Sequence, residues 1–70
     1  MKINNELDFG KMVRERRREL GYTQRYVAEV TGFSTSFISE LENGKATAEL
    51  GRAIRLANLM GLDLLLNRRE

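Results

Sequence analysis

The sequence contains no cysteine, no histidine and no proline. Without cysteine there is no disulfide and no thiol nucleophile, and without cysteine or histidine the usual zinc sites are excluded. That pattern fits a reducing compartment, and a cytoplasmic location is expected. The lack of proline leaves no stretch that reads as a rigid linker or a disordered tail. No apolar run approaches the roughly 20 residues that a membrane span requires, and the first residues lack the apolar centre of a secretion signal. A catalytic apparatus is missing as well: there is no phosphate-cradling glycine loop and no metal cluster. Glu40 and Glu42 stand two apart on an expected helix, so they diverge and cannot work as a carboxylate pair. No enzyme activity, no cofactor and no metal is expected.

What is present is one small domain of 70 residues. A chain of this size buries only about 60% of its unfolded surface, so it gains from a partner subunit. Its 12 basic and 10 acidic residues give a net charge of only +2. The distribution is more informative than the sum. Lys11, Arg14, Arg16, Arg17 and Arg18 crowd one stretch, and Arg25, Lys45, Arg52 and Arg55 follow. Cations gathered on one face would suit nucleic acid. The plainer alternative for Arg14–Arg18 is a solvated helix side with ion pairs to Glu15 and Glu19.

Periodicity and end signals divide the chain into four expected helices, over about 7–20, 24–31, 35–43 and 47–60. In the first, Phe9, Val13, Arg16, Arg17 and Leu20 share a side with Met12 beside them, and Gly21 stands at the C-cap. Thr23 suits the N-cap of the second, whose Val27, Ala28 and Val30 fall together. Gly32 closes it. Ser34 suits the N-cap of the third, with Phe37, Ile38 and Leu41 apolar and Gly44 at its end. Thr47 is expected to cap the fourth, with Leu50, Ala53, Ile54, Ala57 and Met60 facing inward and Gly61 ending it. Two short helices joined by a turn of about three or four residues form a helix-turn-helix, whose second helix can enter a major groove. The remaining segment alternates at Leu62, Leu64 and Leu66, as a strand does. A lone strand cannot satisfy its backbone, so pairing with the same segment of a second copy is expected, in a two-stranded antiparallel ribbon.

Thr23, Gln24, Ala28, Gly32, Ile38, Leu41, Glu42, Asn43 and Gly44 resemble the helix-turn-helix of the phage Cro/repressor (XRE) family. The resemblance runs from about Phe9 to Gly61. It implies an all-α, lambda-repressor-like domain over residues 1–61; residues 62–70 depart from the phage repressors, which continue with another helix, and are expected to form a C-terminal strand and tail for dimerisation. It also implies a sequence-specific regulator of transcription on double-stranded DNA, with no enzymatic step. By that likeness Thr35, Ser36, Ser39 and Glu40 contact bases. Gln24, Arg16, Arg17, Arg25, Asn43 and Lys45 hold phosphates, and Arg17 pairs inward with Glu42. For Glu40, acceptance from a cytosine amino group or pairing with a neighbouring arginine are both open. The stretch from Thr47 to Leu56, followed by Gly61-Leu62-Asp63-Leu64, is similar to the HipB-type antitoxins. That likeness implies a homodimer joined through Leu62, Leu64 and Leu66, a palindromic operator, autoregulation as a repressor, and a HipA-type kinase toxin as partner. The alternative is a stand-alone phage-type regulator without a toxin.

Overall fold

A computed structural model describes residues 2–69; Met1, at the start of the expected domain, and Glu70, at the end of the expected tail, lie outside the described residues. Four helices follow one another: α1 (Glu6–Glu19), α2 (Gln24–Thr31), α3 (Thr35–Glu42) and α4 (Leu50–Leu59). Local chemistry sets the first three starts. The side chains of Asn5, Thr23 and Ser34 accept from the backbone N–H groups of Asp8, Tyr26 and Phe37, satisfying donors that each first turn leaves orphaned. Gly32 ends α2 at φ 85°, a left-handed conformation that a side chain would disfavour.

The fourth helix departs from the sequence expectation. It begins at Leu50, not near Thr47. Lys45–Ala48 instead closes a turn of its own, with the Ala48 N–H donating to the Lys45 carbonyl at 3.2 Å. Thr47 is therefore spent in a turn, and Glu49 holds the cap position without a side-chain cap bond. The later start leaves Leu50 at 69% exposure and puts Ala53, Leu56, Ala57 and Met60 inside. Val30 is also exposed, contrary to its expected place on the inner side of α2.

The core is built from Val13, Val27, Phe33, Ile38, Leu41, Ala53, Leu56 and Met60. Phe33 lies in the turn between α2 and α3, outside any helical period, and the sequence pattern did not mark it. Gly10 permits the closest approach of α1 to α3. A Cβ on it would sit 2.2 Å from the Leu41 carbonyl oxygen and 2.7 Å from that of Glu42, so only a hydrogen fits there.

After α4, Gly61 takes φ 79° and the Leu62 N–H turns back to the Ala57 carbonyl at 2.9 Å. Leu62 consequently packs on its own domain. Leu64, Leu65 and Leu66 lie exposed beyond it, Leu66 fully so at 101%. Among the described residues no strand is formed within the single chain. No helix among them is long and apolar enough to cross a membrane.

Candidate nucleic-acid interface

α3 has two unlike sides. Ile38, Leu41 and Glu42 are buried, while Thr35, Ser36 and Glu40 are exposed and Ser39 is half-buried. Gln24, Thr35, Ser36, Ser39 and Glu40 together line an open concavity of about 350 Å³. The four residues expected to touch bases are thus brought to one side, next to the start of α2. The short side chains of Thr35, Ser36 and Ser39 leave the helix surface low enough for close approach to a flat polar edge. Among the described residues no acidic, cysteine or histidine cluster could hold a metal ion.

The buried side of the same helix carries a charge, and three helices meet on it. The Glu42 side chain is wholly buried. Arg17 donates to it twice, Nε to Oε2 at 2.8 Å and Nη2 to Oε1 at 2.9 Å. Gln24 Nε2 donates to Oε1 at 3.1 Å, and Arg14 Nε lies 3.5 Å from the same oxygen. Burial alone pushes the Glu42 carboxyl up. The hydrogen bonds from Arg17 and Gln24, with the charges of Arg17 and Arg14, outweigh that and hold it below its ordinary value of 4.5. The Arg17 guanidinium is raised, chiefly by its hydrogen bond to Glu42, against the opposing effect of burial. The inward pair expected from the resemblance is therefore present.

The same geometry shows where two of the expected phosphate-contacting arginines rest in the free chain. Arg17 is 12% exposed, and its remaining nitrogen Nη1 donates to the Tyr22 carbonyl at 2.8 Å. Each of its three nitrogens donates inside the domain. Arg16 extends to the far end of α4, where Nε donates to the Met60 carbonyl at 2.9 Å. There it complements the negative helix end, and it sits 3.8 Å from Glu19.

The other expected phosphate residues keep surface access. Gln24 shares its amide with Glu42, and the first N–H groups of α2 begin beside it without intrahelical acceptors. Arg25 is 86% exposed, with a loose pair to Glu29 at 3.7 Å. Asn43 is exposed and accepts from Arg14 Nη2 at 2.7 Å. Lys45 pairs with Glu40. In the free chain the partner of Glu40 is thus a lysine.

Arg14 is the positional residue that the sequence reading did not single out. It lies three positions before Arg17, on the same helix side, and its hydrogen bond to Asn43 and ion pair with Glu42 tie α1 to the C-terminal end of α3. Two aromatic contacts were missed as well. Phe33 and Phe37 stack with centroids 5.1 Å apart, and the Arg52 guanidinium lies over both rings.

Comparisons with known proteins agree with this arrangement. A helix-turn-helix family model matches residues 13–66. The chain is 33% identical over 63 residues to the uncharacterized HTH-type transcriptional regulator y4mF of Sinorhizobium fredii, covering 90% of this chain and 83% of that one. It is 40% identical over 50 residues to an uncharacterized HTH-type transcriptional regulator of Methanothermobacter thermautotrophicus, covering 71% and 72%. Among solved structures, a HipB–O4 20mer complex superposes with a TM-score of 0.87 at 21% identity, over 100% of this chain and 99% of that one. A HipB complex with an O2 20mer gives 0.88, also at 21% identity, over 100% and 97%. At that identity the likeness is one of fold.

Proposed function

The chain belongs to the helix-turn-helix family of DNA-binding transcriptional regulators, and from that premise we propose that it is a dimeric, sequence-specific repressor that acts as the antitoxin of a HipA-type kinase. One observation carries the DNA half of this reading. Thr35, Ser36, Ser39 and Glu40 share the exposed side of a helix whose other side is anchored in the core. Laid in a major groove, the hydroxyls of Thr35, Ser36 and Ser39 donate to or accept from base edges, and the Thr35 methyl suits a thymine methyl. Glu40 accepts from a cytosine amino group, with Lys45 screening its charge from the phosphates. The α2 start at Gln24, with Arg25, Asn43 and Lys45, holds the backbone and fixes the register.

Dimerisation is assigned to the alternating Leu62, Leu64 and Leu66, the last two of them exposed. Paired with a second copy as an antiparallel ribbon, that row covers its apolar surface and satisfies its backbone. Two reading helices then stand about 34 Å apart and match a palindrome with half-sites one turn apart. The antitoxin role draws support from the HipB likeness of fold and of the C-terminal sequence. A stand-alone regulator without a toxin is the second reading, and it shares every DNA contact.

A gel shift on the promoter upstream of the protein's own gene tests the repressor, which is expected to retard that fragment and not a scrambled one. Sedimentation of a chain ending at Gly61 tests the ribbon; a tight dimer from that truncated chain removes it. Co-purification with a kinase encoded beside the gene separates antitoxin from stand-alone regulator.

A further inference from the structure

We infer that Arg16 is a positioning residue that fixes the spacing between the two DNA half-sites, because it locks the point at which the C-terminal segment leaves the domain. The inference rests on the reading of the chain as a dimer on a palindrome, and it concerns what holds the two reading helices at one separation. Arg16 and Arg17 are neighbours on α1 but reach in different directions. Arg17 grips Glu42 at the end of α3. Arg16 reaches the end of α4, where its Nε donates to the Met60 carbonyl at 2.9 Å. One helix thus ties the reading helix to the exit of the segment proposed to join two copies.

The end of α4 does not need Arg16 in order to stop. The Gly61 N–H donates to the Asn58 carbonyl at 3.0 Å and the Leu62 N–H to the Ala57 carbonyl at 2.9 Å, with Gly61 at φ 79°. That paired closure is complete in itself. The ends of α1 and α3 close in the same way, by Gly21 to Arg18 with Tyr22 to Arg17, and by Gly44 to Leu41 with Lys45 to Glu40. Among the described residues, only at the α4 end does a side chain from another helix also take the C-cap carbonyl. The guanidinium lies over Gly61 as well: a Cβ there would sit 3.0 Å from Nη2 and 3.9 Å from Nε. Leu62 packs on the core just beyond. The exit is therefore held both by its own turn and by α1. A swing of about 8° at the exit carries a point 24 Å away, the middle dimension of the molecule, through one base-pair rise of about 3.4 Å. Slight looseness at the exit is thus enough to misplace a reading helix by a full step of the duplex. Arg16 opposes that swing up to the strength of its own bond, and a charge-assisted hydrogen bond is a factor of about ten in an equilibrium.

The test measures binding of the full-length protein to four duplexes from its own promoter: the footprinted palindrome, the palindrome with one base pair added or removed at its centre, and a single half-site. The parent is expected to prefer the native spacing, and Arg16→Met to lose about tenfold of that preference. Arg16→Lys, which keeps the charge and a donor, is expected to restore part of it. Where Arg16→Met melts too low to assay, Arg16→Gln carries the same expectation. Half-site binding, the salt slope and sedimentation as a dimer should match the parent in each variant. Amide exchange gives a reading without DNA: in Arg16→Met the Leu62 N–H is expected to exchange about tenfold faster relative to the amides of α3. An unchanged spacing preference overturns the inference. So does an equal loss of affinity on every duplex with a salt slope lower by about one, which would make Arg16 a phosphate contact. A parent that sediments as a monomer, or that binds the three spacings alike, removes the dimeric reading itself; a dimeric parent whose spacing preference survives in Arg16→Met removes the assignment of Arg16 alone.

Discussion

The inner and outer sides of α3 are eight residues of one helix under opposite demands. On the inner side every polar atom is committed: Glu42 receives donors from α1 and α2, and the Leu41 and Glu42 carbonyls press against Gly10. On the outer side the hydroxyls of Thr35 and Ser36 have no fixed partner among the described residues, and Glu40 makes only a surface pair with Lys45. Rigidity on one side is what allows the other to remain uncommitted, because a docked face must hold its shape without using its own donors to do so. A change inside should therefore be felt as instability, and a change outside as lost binding in an otherwise intact protein.

Arg17→Met should give the largest effect. It strands Glu42 as a buried charge, and breaking one side of such a pair costs about 3–5 kcal/mol. For a domain of this size each kcal/mol lowers Tm by about 4–8 °C, so a thermal melt followed by circular dichroism should show a partly or wholly unfolded protein at 37 °C. A melt close to that of the parent would mean that Glu42 does not depend on Arg17 for its burial.

Gly10→Ala comes next. The added methyl meets backbone oxygen rather than a yielding side chain. Overpacking of that kind costs about 1–3 kcal/mol, which a urea titration should read as a lower midpoint with the same slope. Thr35→Ala with Ser36→Ala is the outer counterpart. Stability should stay within about 0.5 kcal/mol, while promoter affinity falls by about 1–3 kcal/mol. If the pair leaves binding intact, the outer side does not read bases.

Acid gives the smallest and most selective probe. Glu42 titrates below its ordinary value in the folded chain, so the unfolded chain takes up the proton first as pH drops. The contribution of Glu42 is therefore complete above the unfolded value of 4.5 and is lost as pH falls through the lower folded value. Stability measured by denaturant between neutral and acid pH should decline in that window, and Glu42→Gln should flatten that part of the curve.

The features legible in the sequence are those decided within a few residues. Thr23 and Ser34 cap, and Gly32 ends α2, because a cap bond spans one turn and a left-handed φ belongs to one residue. Thr47 misled for the same reason in reverse: it has a cap's chemistry, but the Ala48-to-Lys45 bond won the local competition. The four base-reading candidates fell together because they lie off the apolar period of α3. The Arg17–Glu42 pair was available from family likeness and not from spacing, since its members stand on different helices. Gly10 was opaque because its reason, two carbonyls of α3, is far along the chain. Phe33 and its stack with Arg52 were opaque too, being made between a turn and a helix that no periodic pattern connects.

The convergence of α1, α2 and α3 on one carboxylate has a consequence for how the molecule opens. None of the three can swing away without abandoning a charge in an oily interior, so small local openings are suppressed in favour of rare, complete ones. Amide protons along these helices should then trade with deuterium as a single slow population, with the leucine-rich end exchanging almost at once.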